Sequence, residues 1–228
     1  MKTRALILAV LGASAADGAL AGSVDLPLQV GGAYSVPATS IKEGRFRATV
    51  RQQYDFSCGS AALSTLLTHH YGFPVTEQVV FEEMFQKGDQ AKIREEGFSL
   101  LDIKQFLEQH GFQADGFEAP LDKLQSVGIP AIVLLKENGY SHFVVVKGIR
   151  NNRVLVGDPA GGTRALTRNH FESIWMNQIL FVISNKQEIA RFNSESDWIA
   201  APQAPLGNGV NRNGLTDLLL GKHGPSDF

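Results

Sequence analysis

The chain has 228 residues, 43% of them hydrophobic and 19% charged, the composition of an ordinary globular protein. A formal charge of −2 with no lysine or arginine run argues against a nucleic-acid partner, which calls for a basic stripe. Cys58 is the only cysteine, which excludes an internal disulfide framework.

The first residues carry the pattern of an export signal. Lys2 and Arg4 form a short positive start, and Ala5 to Ala13 is uncharged and largely apolar. Ala19-Leu20-Ala21 offers a cleavage site, giving a signal over 1–21, with Ala13-Ser14-Ala15 as its rival. The apolar run is far shorter than the roughly 20 residues that span a bilayer, so export without stable membrane insertion is expected. Residues 22–45 contain Pro27, Gly31-Gly32 and Pro37 with no sustained period, and read as an extended arm. The folded domain is expected over 46–186.

Within it, Ala62, Leu63, Leu66, Leu67 and Tyr71 recur at helical spacing, which predicts a helix from about Cys58 to Tyr71 with Gly72 as its stop. A second helix is predicted from the cap Thr76 through Phe85, and a third from Ser99 to His110-Gly111. Ser99 and Asp102 there have capping-box spacing. Lys87 to Gly97 is polar and reads as a loop. The period then changes. Strands are predicted at Ala131–Leu135 and Phe143–Val146 around an Asn138-Gly139 turn, then at Arg153–Val156, Arg164–Leu166 and Ile179–Ile183. A short helix is predicted at Asn169–Trp175. Helices followed by antiparallel strands make an α+β arrangement. Residues 187–228 read as a C-terminal extension, rich in Pro, Gly and Asn from about Ala201, with Leu215–Leu220 as a docking turn.

Exported proteins normally pair their cysteines, so a solitary one is either a buried apolar filler or a thiol kept for chemistry, and the residues flanking Cys58 favour chemistry. Cys58 opens a predicted helix, where free N–H groups and the macrodipole stabilise an anion and predict a lowered thiol pKa. A thiol nucleophile needs a base and a group to orient it. His142 enters the apolar run Phe143–Val146, and Asp158 ends the next strand before Pro159. A three-residue loop over Arg150–Asn152 would set both on one face, whereas a two-residue Asn151-Asn152 turn would set them on opposite faces. The pairing therefore requires an odd loop or a bulge, with Gly148 as the candidate. The Cys58 N–H is a candidate oxyanion donor, with Gln52 or Gln53 as the second. The remaining histidines read as helix-end or surface groups, and none forms a metal-ligand cluster.

Gln52, then Cys58-Gly59 opening a helix, then Ser141-His142-Phe143-Val144-Val145, then Gly157-Asp158-Pro159 resembles the bacteriocin-processing peptidase family over roughly Phe46 to Asn185. The resemblance implies a papain-like fold, a helical half packed on an antiparallel sheet half. It also implies cleavage of leader peptides, often after a Gly-Gly pair. The glutamine six positions before the cysteine forms the oxyanion hole in that family, which selects Gln52. Two departures stand out: Ser57 replaces the aspartate common before the cysteine, and no Gly-x-x-x-x-Gly-Lys phosphate loop of a transporter is present. The stretches Tyr54–Ser60 and Arg94–Ser99 are most similar to free-standing periplasmic members that accompany functional-amyloid export.

The resulting expectation is a periplasmic cysteine endopeptidase using Cys58, His142, Asp158 and Gln52, without metal or cofactor. Its partners are a peptide or protein substrate, with amyloid subunits or export-pore components as candidates, and no nucleic acid. The alternative is a non-catalytic substrate-binding module of the same fold.

Overall fold

A computed structural model describes residues 22–27, 33–38 and 40–202. The expected signal over 1–21 and the segment Leu215–Leu220 lie outside the described residues. The chain divides into two units, 1–43 and 44–228. In the first, β1 (Gly22–Pro27) and β2 (Ala33–Ala38) form an antiparallel hairpin whose register pairs Val24 with Val36 and Leu26 with Tyr34. Part of the expected arm is therefore a paired ribbon. A short helix, α1 (Ile41–Arg45), follows.

The second unit opens with helices. α2 (Cys58–Thr65) is buried along its whole length and continues as a π-helical turn over Leu66–His70. The sequence led us to expect one regular helix here. His70 ends this wider turn, a helix-end histidine as expected, but it is fully buried rather than on the surface. α3 (Glu77–Lys87) starts at Thr76, whose side chain accepts from Val79 N–H. α5 (Leu100–Gln109) starts at Ser99 with both halves of the capping box made. Between them, where a loop was expected, α4 (Gln90–Glu96) forms because Asp89 caps the Ala91 and Lys92 amides. Only Ile93 of α4 is buried, so no apolar stripe announced it.

Six strands make one antiparallel sheet in the order β3-β8-β4-β5-β6-β7. They are β3 (Ala114–Glu118), β4 (Ala131–Glu137), β5 (Tyr140–Arg150), β6 (Arg153–Asp158), β7 (Gly162–Thr167) and β8 (Ile179–Ile183). Two further helices are α6 (Leu121–Val127) and α7 (Arg168–Ile174). β3 and α6 had no counterpart in the sequence reading: four of the five β3 residues are exposed, and only Leu121 and Leu124 of α6 are buried. The β4–β5 connection is the expected tight turn, with Asn138 and Gly139 both at positive φ.

Side chains alternate across the sheet. Ile132, Phe143, Val145 and Phe181 face a core built with α2, α3 and α5, while Val133, Val144, Val154 and Val156 face α6 and α7. Residues 187–202, expected to begin a tail, lie on this domain and include a single-turn helix, α8 (Glu195–Trp198).

Candidate active site

Cys58 is the first residue of α2 and is buried. Ser57 precedes it but does not cap the helix. Its hydroxyl instead accepts from Tyr54 N–H at 3.1 Å and donates to Tyr54 O at 3.0 Å, closing a turn over 54–57. The first amides of α2 are thus left without a side-chain cap, and those of Cys58 and Gly59 act on the sulfur together with that of Phe143.

The expected lowering of the thiol pKa does not follow. Burial raises it, and the Phe143, Gly59 and Cys58 amides pull the other way without cancelling that cost, while the Asp158 charge raises it further. A helix N-terminus lowers a thiol pKa when the sulfur keeps solvent, and this one keeps little.

His142 and Asp158 are brought together. The β5–β6 connection is a two-residue turn, with Asn151 and Asn152 both at positive φ and Arg150 opposite Arg153. Alone, that turn would part the pair. A bulge between Val146 and Gly148 inserts one extra residue, Lys147, and restores the parity. Past it the register continues as Val145 opposite Gly157, which sets Asp158 diagonal to His142 on one face. His142 Nε2 lies 3.3 Å from Asp158 Oδ2. With the proton on Nε2, Nδ1 is the free base, and it is buried with no hydrogen-bond partner among the described residues. The thiol and the imidazole are not hydrogen-bonded to each other among the described contacts; apo catalytic contacts commonly tighten only with substrate.

Asp158 is held by more than the histidine. Its Oδ1 accepts from Ala160 N–H at 2.9 Å and Gly161 N–H at 3.2 Å, and its Oδ2 also accepts from Arg164 Nε at 3.2 Å. Arg164 in turn makes a forked pair with Glu137. Ligand atoms of Glu137, His142 and Asp158 lie within 4.8 Å of one another, and the cation between the two carboxylates is the Arg164 guanidinium. Tyr140 stacks on His142 with centroids 5.9 Å apart and donates its hydroxyl to Asp55 O at 2.7 Å, tying the imidazole to the loop before Cys58.

Burial opposes ionisation of Asp158, but the His142 bond and charge and the two amides outweigh it and hold its pKa at about 2. That is below the ordinary value of about 3.9, so its contribution to stability is full above about pH 4 and is lost as pH falls toward 2. In acid titrations followed by circular dichroism, Asp158→Asn is expected to flatten the loss of stability in that window relative to wild type. Superimposable curves would contradict the assignment.

Gln52 and Gln53 part company. Gln52 N–H donates to Pro159 O at 3.1 Å, beside Asp158, and its carboxamide donates to Tyr54 O at 3.0 Å and Asp55 O at 3.5 Å. Gln53 N–H turns to Glu77 Oε1, away from this loop, and its side chain is exposed.

Residues 47–187 match the Peptidase C39 family. The chain belongs to that family. Over 153 residues it is 41% identical to the "Probable functional amyloid protease FapD" of Pseudomonas aeruginosa, the match covering 67% of each chain. The protein of the same name from Pseudomonas fluorescens is 42% identical over 63% of each. The match thus spans about two thirds of these relatives' length. Among solved structures, the peptidase domain of Streptococcus ComA, a bifunctional ABC transporter involved in a quorum-sensing pathway, superposes with a TM-score of 0.51. That likeness covers 60% of this chain and 97% of that one at 23% identity, and it carries the fold: this C39 member is α+β and papain-like.

Sequence reasoning missed Arg164, Glu137 and Tyr140. Nothing in their spacing marks them, because they reach the site from three different strands. Lys147 did carry a signal: a lone lysine inside the apolar run Phe143–Ile149 implies a buried ion pair.

Proposed function

We propose that this chain is a periplasmic cysteine endopeptidase that cuts a peptide bond in an exported protein or its leader, in support of functional-amyloid fibre secretion. The observation that carries the reading is the buried imidazole of His142, with Nε2 on Asp158 and Nδ1 without a hydrogen-bond partner among the described residues, one residue before the Phe143 amide that acts on Cys58. The C39 membership and the similarity to the functional amyloid proteases of Pseudomonas support the substrate class.

The geometry supports a general-base route. Because burial keeps Cys58 as a thiol, attack and deprotonation go together: Sγ bonds to the scissile carbonyl carbon as His142 Nδ1 takes its proton. The carbonyl oxygen becomes an oxyanion, held by the Cys58 N–H and the Gln52 carboxamide, whose longer bond to Asp55 O is the one to exchange. Asp158 stabilises the imidazolium, which then gives its proton to the leaving amine. A water deprotonated by His142 hydrolyses the thioester and restores the thiol.

Exported amyloid subunits and export-pore components from the same organism, incubated with the purified chain, are expected to yield a new terminus by mass spectrometry. Blocking Cys58 with iodoacetamide should prevent it. Cleavage of peptidoglycan fragments with no new protein terminus would replace this reading with a cell-wall amidase. Saturable binding without cleavage of either would leave the non-catalytic module.

A further inference from the structure

The bulge that unites His142 and Asp158 is not held by the sheet alone. Residues 190–201 run over it, beyond the 47–187 span that matches the family. Arg191 N–H donates to His70 O at 2.9 Å, and His70 Nδ1 lies 2.7 Å from Arg191 O, so both main-chain groups of one residue are pinned to the π-turn. Asn193 N–H donates to the carbonyl of the bulge residue Lys147 at 2.9 Å, and its carboxamide donates to Ile149 O at 3.2 Å. Gly148 sits directly beneath that carboxamide, where any Cβ would collide with it.

The side chain of Lys147 completes the contact. It is fully buried, and Nζ donates to Asp197 Oδ1 at 2.7 Å and to Ala48 O at 2.8 Å. Its stem crosses Gly157, where a Cβ would stand 3.1 Å from Lys147 Cδ, one residue before Asp158. Trp198 lies under both ends of the hairpin turn, with Arg150 4.7 Å and Arg153 5.5 Å from its ring centre. An ammonium inside a protein needs a carboxylate, and the carboxylate paired with Lys147 comes from this segment.

We propose that residues 190–201 are a strap that fixes the Lys147 bulge and thereby the register of His142 on Asp158. Lys147, Asn193 and Asp197 are its positioning residues. The strap's bearing on catalysis rests on the peptidase reading above; its bearing on the His142–Asp158 bond does not.

The test has two readouts on the full chain: the downfield Nε2–H proton resonance of His142 bonded to Asp158, and the pH profile of Cys58 alkylation by iodoacetamide. Near-UV circular dichroism reports folding. Asp197→Leu is expected to lose the resonance and to slow alkylation at neutral pH about tenfold, a misplacement effect. Lys147→Met/Asp197→Leu, which replaces the ion pair by an apolar contact, is expected to recover both. Because Asp197→Leu strands a buried charge at a cost to folding, Asn193→Gly provides the second variant. It keeps the positive φ of 59° and removes the carboxamide, and it is expected to broaden the same resonance. A resonance missing from wild type, or unchanged in folded Asn193→Gly or Asp197→Leu, overturns the strap. A wild-type chain with the resonance but no neutral-pH alkylation sinks the peptidase reading and leaves the strap standing.

Discussion

With alanine at position 58, turnover falls to background, a loss on the order of 10⁵–10⁶ in kcat. The size follows from the absence of a substitute. Cys58 is the only cysteine in the chain, and Ser57 and Ser60 on either side have their hydroxyls committed, to Tyr54 and to the Ser57 carbonyl. The fold should tolerate the change, because alanine keeps the helix and removes one small buried atom, a loss within about 1 kcal/mol. Cleavage of the exported protein and fibre secretion are followed in parallel. Secretion at the wild-type level with no processing defect anywhere would remove the catalytic reading, whereas loss of both at an unchanged melting temperature supports it.

Replacing His142 by alanine is expected to cost about 10⁴ in kcat/KM, the upper range for a general base. The reason lies in the Cys58 environment. Burial raises that thiol, so its own thiolate fraction at neutral pH is small and the imidazole must take the proton during attack. Alkylation of Cys58 by iodoacetamide should show the same dependence without any substrate. The variant should need alkaline pH to react, while wild type reacts near neutrality. If the two profiles coincide, Cys58 acts without His142 and the mechanism is wrong.

Much of the site was legible in the chain because its signals are local. A cysteine at a helix start, a histidine entering an apolar run and an aspartate before a proline can each be read from a few neighbours. The need for a bulge near Gly148 followed from strand parity, and the structure has the bulge there, at Lys147, with the tight two-residue turn rather than the three-residue loop. The thiol's pKa was misread for a physical reason. A helix N-terminus is visible in sequence, but the solvent left around the sulfur depends on residues distant in the chain, such as Phe98 and Phe143, that share its buried cluster. β3, α4 and α6 were missed because each buries one or two residues, too few to set a period.

By itself, then, the sequence marked a candidate nucleophile, a candidate base and its orienting carboxylate, the α+β order and the family, all of which rest on residues close together or on periodic patterns. Only the tertiary structure decided that Arg164 and Glu137 flank Asp158, that Tyr140 ties His142 to Asp55, and that Asp197 reaches Lys147 from 50 residues away. Those contacts join strands and a strap whose separation along the chain leaves no mark in spacing. They are set by the sheet's register, and the register hangs on one extra residue in β5.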